Sequence, residues 1–276
     1  MTDRVPVEFH PFPTGRRFVT GAIRAGRPMA LMHGLVTVDV TDARRRLRAR
    51  QPPLSLTAYV VGCVARAAAD HPEVHAYRDW RGRLAVSHGV DVGVLIETHT
   101  ASGPVPVGHV VRGAHRREIA DISAEIRAVQ ADPGSGSSDR LVRRAAVVGR
   151  VPGLTELFFR LARRSVRMHA LSGTVAVSSV GGFGGGEGFG IGVPTVLTLS
   201  VIVGGLSTQP RVVNGEVRAR EVLNLTISVD HKVVDGAPAA RFAASLRELL
   251  EGARLVPEPG SQRTGQAADA AGFSSS

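Results

Sequence analysis

One cysteine, Cys63, serves the whole chain of 276 residues. A lone thiol excludes a disulfide framework and any cysteine-based zinc or iron–sulfur centre, and it suits a reducing compartment. Lysine is as scarce: 33 of the 34 basic residues are arginine, and the one lysine is Lys232. Aromatic residues make up 4 %, few for the stacking platforms of a single-strand binder. The net charge is +10, yet no helix-turn-helix, zinc-finger or ribonucleoprotein signature accompanies it. The arginine excess, beside many alanines, glycines and valines, reads as composition bias, and no nucleic-acid partner is expected. Long hydrophobic runs are missing too. The longest, residues 191–206, is broken by Gly192, Pro194, Gly204 and Gly205, whereas a membrane helix needs about 20 apolar residues. The start, MTDRVPVEFHPFP, has no signal-peptide core. These absences lead us to expect a cytoplasmic protein with no transmembrane segment.

Hydrophobic residues are 43 % and charged residues 21 % of the chain, enough to bury a sizeable core. Residues 1–30 mix proline, glycine and arginine and read as an irregular arm, and residues 255–276 as a disordered tail. Between them, 31–254 is expected to be one α/β catalytic domain. Alternation in LVTVDV (35–40) predicts a strand, followed by a short basic helix to Arg50. Ser55 caps the clearest helix, in which Leu56, Tyr59, Val60, Cys63, Val64 and Ala67 form one apolar stripe. Strands are expected on both sides of Gly89, the second being VDVGVLIE. A helix is expected over 116–131 and a flexible loop over 132–139. The segment 140–170 carries eight arginines, arranged around an apolar helical face at Leu154, Leu157, Phe158 and Leu161. It reads as a core-packed helix with a solvated basic face; docking on an acidic carrier or an anionic membrane is the other reading. Strands follow at 174–180, 196–204 and 222–229. VVNGEV (212–217) between the last two reads as a hairpin turn, and Pro238 opens a last helix.

Few places offer chemistry. The glycine-rich GGFGGGEGFGIG (181–192) has no G-x-G-x-x-G register and no lysine after it, so a phosphate cradle is not indicated. His71 and His75 are separated by a turn-forming Pro72 and lack a further ligand, so no metal site is expected. Ser178 is not in a G-x-S-x-G elbow. The one marked constellation is SVDHKVVDGAPAARF (228–242): a strand delivers His231 at its end, then Asp235, Gly236 and a helix start. Strand ends that feed helix starts are where open α/β sheets place their reactive groups. An imidazole there suits a general base.

DHKVVDG resembles the His-x-x-x-Asp-Gly signature shared by chloramphenicol acetyltransferase and the catalytic domain of dihydrolipoyl acyltransferases, the acyl-transfer components of 2-oxo acid dehydrogenase complexes. GTVAVSSVGGFG (173–184), the helix at 55–70 followed by HPEVHA, VDVGVLIE and NLTISVDH resemble the same family. The likeness spans about 33–252, and the glycine loop and arginine-rich stretch are most similar to a stand-alone branch. It implies a chloramphenicol acetyltransferase-like mixed sheet flanked by helices, and a homotrimer or multiple of trimers in which the histidine and the serine meet across a subunit interface. It implies His231 as general base, taking the proton of an attacking thiol, and Ser178 as hydrogen-bond donor to the oxyanion. It gives Asp235 a structural role, holding the turn and the imidazole.

Complex-bound members also carry lipoyl and subunit-binding domains, for which the region before residue 33 leaves no room. The sole lysine, Lys232, sits beside the candidate base, so no lipoyl group is expected on this chain and no tightly bound cofactor. The acyl group is then expected from a separate acyl-carrier or lipoyl protein, or from a coenzyme A thioester as co-substrate, with a thiol, amine or alcohol as acceptor. A reading of another class is a non-catalytic oligomeric scaffold that binds a partner. Retention of His231, Ser178, Asp235 and Gly236 together argues against it.

Overall fold

The computed structural model describes residues 7–11, 14–100, 103–132, 134, 136, 153–179, 186–194 and 196–258. Its frame is a six-stranded mixed sheet in the order β1-β8-β7-β6-β4-β5. The strands are β1 (Leu31–Asp39), β4 (Val92–Thr100), β5 (Gly103–Val111), β6 (Val175–Ser179), β7 (Leu199–Val213) and β8 (Glu216–Asp230). β6 runs parallel to both β4 and β7; the other pairs are antiparallel. Two short strands, β2 (Tyr77–Arg78) and β3 (Leu84–Ala85), form a separate hairpin. The helices are α1 (Thr14–Gly26), α2 (Thr41–Arg48), α3 (Leu56–Asp70), α4 (Ile119–Ala131), α5 (Leu154–Ala162), α6 (Val166–Ser172) and α7 (Gly236–Gly252).

One face of the sheet holds the core. Val92, Val94, Val175, Val177, Leu199, Val201, Leu225 and Ile227 point into it and meet residues of α2, α3, α4 and α7. The expected stripe on α3 is buried, and so are Val61, Ala65 and Ala68 around it. The helix is enclosed rather than half-buried because Gly62 lets α4 come close: a Cβ there would stand 2.3 Å from Ile119 Cδ1. Ser55 caps α3 as expected, its hydroxyl accepting from the Ala58 N–H. The Tyr59 hydroxyl donates to the Leu249 and Leu250 carbonyls of α7, satisfying a buried polar group. The Asn214-Gly215 turn joins β7 to β8 with both residues at positive φ, 54° and 83°, the geometry that two-residue hairpins favour.

Two expectations, on the arm and on the tail, need correction, and one strand was not foreseen. The arm at 1–30 is not irregular throughout, for α1 occupies Thr14–Gly26. Gly21 permits its close packing on α5, where a Cβ would lie 2.8 Å from the Thr155 side chain. A helix whose partner is 130 residues away leaves little local signal. The sequence reading placed no element where β5 lies; Pro104 and Pro106 sit in it because at the sheet edge a proline need cost no ladder bond. The tail begins later than 255, since Val256 is buried and Arg46 donates to its carbonyl and to that of Ala253. Residues 259–276, most of 132–139, and 140–152 of the arginine-rich stretch lie outside the described residues. Strands flank Gly89 as expected, β3 before it and β4 after it, with β3 paired to β2. Among the described residues, no helix is long and apolar enough to cross a membrane.

His75 predicts an acid-sensitive fold. Burial pushes its pKa down to about 4, with partial opposition from its bond to the Ala68 carbonyl. The neutral ring is favoured in the native state, so the unfolded chain takes up the proton first as pH falls. Its contribution is complete above about pH 6.5 and lost progressively towards the native pKa of about 4. Denaturant melts should show the native chain losing about 3 kcal/mol more than His75→Gln over that interval; parallel profiles would contradict this.

Candidate active site

β8 alternates: Leu223, Leu225, Ile227 and Val229 enter the core. Asn224, Thr226, Ser228 and Asp230 face the other side and are buried as well. Buried polar groups need partners, and most have one. Asn224 accepts from the Thr37 hydroxyl, and Ser228 bonds His33 Nδ1 at 2.7 Å. Asp230, 4 % exposed, ends the strand. Its Oδ1 accepts from the backbone N–H of Ala30 at 3.0 Å and of Lys232 at 3.2 Å, and Arg163 Nη2 lies 3.6 Å from Oδ2. Its own carbonyl takes the N–H groups of Val233 and Val234. The chain therefore turns sharply after β8 with the amides of His231, Lys232, Val233 and Val234 all bonded, and α7 begins at Gly236.

His231 stands on this turn. Its N–H donates to the Ala30 carbonyl at 2.8 Å, extending the β1–β8 ladder by one bond. The imidazole is half exposed, with Nδ1 3.8 Å from Asp235 Oδ1. Asp235 takes the N-cap position of α7 without a side-chain cap bond, and its carboxylate is open to solvent. The turn-holding role that the resemblance gave Asp235 is filled in this chain by Asp230. Asp230 and Arg163, which hold the backbone around His231, are residues that the sequence reading missed. The signal available was an acid at the end of an apolar strand, adjacent to the candidate base; Arg163 was hidden among its many arginine neighbours.

Ser178 lies in β6, half-buried on the face away from the core. The register puts it in one row with Leu35, Thr226, Ile202 and Leu95, each paired with the next across the sheet. Leu35 and Leu95 are 55 % and 51 % exposed, and the Thr226 hydroxyl is buried without a partner. His33, exposed, occupies a neighbouring row; it lies on the open face rather than in the core. Ser178 and His231 do not meet within the chain. Ser178 is level with Thr226, so five residues of β8 and two strand spacings separate it from His231, on the order of 19 Å.

The glycine-rich segment also has a structural use. Residues 186–194 run over β7, where the Gly205 N–H donates to the Gly188 carbonyl at 2.8 Å. A Cβ on Gly205 would lie 2.0 Å from the Gly186 oxygen, so glycine at the β7 irregularity between Val203 and Leu206 admits the segment. Residues 181–185 lie outside the described residues. Cys63 is no nucleophile: burial pushes its thiol up to about 12. Among the described residues, no group of three or more His, Cys, Asp or Glu is placed to hold a metal.

The chain is 28 % identical over 227 residues to the lipoamide acyltransferase component of the branched-chain alpha-keto acid dehydrogenase complex of Pseudomonas aeruginosa, which covers 78 % of this chain and 44 % of the relative. It is 22 % identical to the dihydrolipoyllysine-residue acetyltransferase component of the pyruvate dehydrogenase complex of Mycoplasma capricolum, over 80 % of this chain and 45 % of that one. The chain thus spans less than half the length of these curated relatives. The fold matches the dihydrolipoamide acetyltransferase of Azotobacter vinelandii with a TM-score of 0.66 at 19 % identity, covering 93 % of this chain and 99 % of that one. The family model of the 2-oxoacid dehydrogenases acyltransferase (catalytic domain) matches residues 28–138 and 154–256, and the chain belongs to that family.

Proposed function

We propose that this protein moves an acyl group from a thioester directly to a nucleophile, and that each active site is shared by two copies of the chain. The observation that carries the reading is the pinned, half-exposed His231 beyond the end of β8, with Ser178 on an open sheet face too far away to serve the same protomer's imidazole. A second copy laid against that face covers Leu35 and Leu95 and brings its own residues to Ser178. The sequence spacing supports the same pairing. Crystallographic and enzymatic work on the Azotobacter vinelandii enzyme concerns a serine, a histidine 52 residues later and an asparagine four after that, in its catalytic mechanism. Here Ser178 precedes His231 by 53 residues and Asp235 follows by four.

In this reading His231 accepts the proton of the attacking thiol as the sulfur adds to the thioester carbonyl. The tetrahedral intermediate carries its negative charge on the former carbonyl oxygen, to which Ser178 of the second copy donates a hydrogen bond. Collapse breaks the carbon–sulfur bond to the donor, and the departing thiolate recovers the proton from the imidazolium. No acyl-enzyme forms. Asp230 is a positioning residue. By holding the amides of Ala30 and Lys232 it fixes the backbone on both sides of the base, leaving the ring free to face substrate. A coenzyme A thioester or a thioester on a separate carrier or lipoyl protein supplies the acyl group, and the assembly is a trimer or a multiple of trimers.

Formation of coenzyme A from acetyl-coenzyme A with a dithiol acceptor, followed by chromatography because thiol-to-thiol transfer leaves the number of free thiols unchanged, tests this. His231→Ala should slow turnover about 10²–10⁴-fold and Ser178→Ala about 10²–10³-fold, with the oligomer intact by light scattering. Equal traces for the native chain and both variants across a donor–acceptor panel would leave the scaffold reading in their place. Asp230→Asn removes a buried charge that Arg163 faces, and should cost about 3 kcal/mol or more in a denaturant melt. Unchanged stability would show that the turn is held by other means.

A further inference from the structure

The helix α5 does not pack as its spacing predicts. Its buried residues are Thr155, Phe159 and Ala162, and Gly21 lets α1 close over that side. Leu154, Leu157 and Leu161, expected in the core, are 40 %, 51 % and 44 % exposed. Their spacing of three and four residues puts them in one row, turned away from the buried side and about 10 Å long. Phe158 beside the row is half-buried and meets Phe159 edge to face at 5.3 Å. The row is therefore a convex apolar ridge with no partner of its own.

Arginines accompany the ridge. Arg160 follows Leu157 by three residues, on the same side of the helix. Arg164 follows Leu161 in the turn that ends α5, its N–H bonded to the Leu161 carbonyl at 3.2 Å. Arg167 lies in the first turn of α6, and all three are exposed. The one acid over 153–172 is Glu156, paired with Arg160 at 2.9 Å. Among the described residues, Arg164 and Arg167 have no carboxylate within 4.0 Å. Exposed leucines beside unopposed guanidinium groups fit an occupant that is both apolar and anionic. A second copy of the chain sets its own net charge of +10 against these arginines. An acidic protein needs a groove shaped to the ridge. A phospholipid surface needs none: it takes up the leucines below its headgroups, and its phosphates accept the paired donors of the guanidinium groups.

We propose that α5 docks this protein on an anionic phospholipid surface, with Leu154, Leu157 and Leu161 entering the headgroup boundary and Arg160, Arg164 and Arg167 on lipid phosphates. The arginine stems lie along the apolar layer while their charged ends stay at headgroup level. Arg163 takes no part, because Asp230 and the Ala25 carbonyl hold it. The same two contacts join the docked helix to the turn that carries His231, so the lipid surface and the end of β8 are linked through one side chain. A single short ridge gives weak, reversible attachment. Lipid binding of this kind needs no turnover and stands independently of the acyl-transfer reading.

Flotation of the full chain with vesicles measures the attachment. Vesicles of phosphatidylcholine with phosphatidylglycerol should carry the chain at about 0.1 M salt and release most of it at about 0.5 M. Vesicles of phosphatidylcholine alone should carry about tenfold less or lower. Leu154→Gln and Leu157→Gln, both at exposed positions, should each lower the partition coefficient on the order of fivefold. Arg164→Gln should lower it about fivefold on the anionic vesicles and leave the neutral ones unchanged. Circular dichroism and light scattering check that each variant keeps its fold and its oligomer. The proposal is overturned if anionic and neutral vesicles carry the chain alike, if neither carries it, or if binding resists salt. It is also overturned if the double leucine variant binds as tightly as the native chain, which leaves only the general attraction of a cationic protein. Leucine variants that fold but lose the oligomer would make the ridge a contact between copies and overturn it as well. Leucine-dependent binding to polyglutamate without flotation would assign the ridge to an acidic polypeptide in place of lipid.

Discussion

A carboxylate enclosed at the end of an apolar strand must be satisfied or neutralised, and the whole site depends on how Asp230 meets that demand. It gathers the Ala30 and Lys232 amides and faces the Arg163 guanidinium. Those contacts tie three separate parts of the chain to one point: the segment entering β1, the turn leaving β8 and the end of α5. Arg163 adds a bond to the Ala25 carbonyl at 2.9 Å, which draws the end of α1 into the same knot. His231 inherits its position from that knot, since its own side chain has only the distant contact with Asp235. Charge is placed where it orders the backbone, and the neighbouring ring stays available.

The sheet is the basis for proposing that one copy of the chain is not a complete site. The helices α2, α3, α4 and α7 crowd onto one face, where the core is. The opposite face carries Ser178 in a row that ends in two open leucines and includes an unpaired threonine hydroxyl. An exposed apolar row beside buried polar groups is more economically explained as an interface than as a solvent face. Its function as one is the natural complement of a base placed about 19 Å away along the strands.

Much of this was legible in the residues. The α3 stripe behind Ser55, the Asn214-Gly215 turn and the strand leading into His231 each rest on local chemistry: a cap, positive φ, alternation. What escaped was non-local. α1 takes shape against α5, β5 tolerates its prolines because it lies at an edge, and Asp230 looked like an ordinary acid until Arg163 arrived from 67 residues earlier in the chain. The resemblance named His231 and Ser178 and implied that they meet across a subunit interface, and the strand register places them apart within one chain. The outward turn of the α5 leucines was equally out of reach, because their spacing marks an apolar stripe and only the packing of α1 on Thr155 shows which side of the helix is covered.

The claim that two copies share each site is tested most directly by subunit mixing. His231→Ala and Ser178→Ala chains, each carrying a different affinity tag, would be co-expressed and the doubly tagged oligomers isolated and assayed for coenzyme A formation. A shared site predicts that these hybrids recover a substantial fraction of native turnover, because some interfaces pair an intact His231 with an intact Ser178. Hybrids as inactive as the two parents would contradict it.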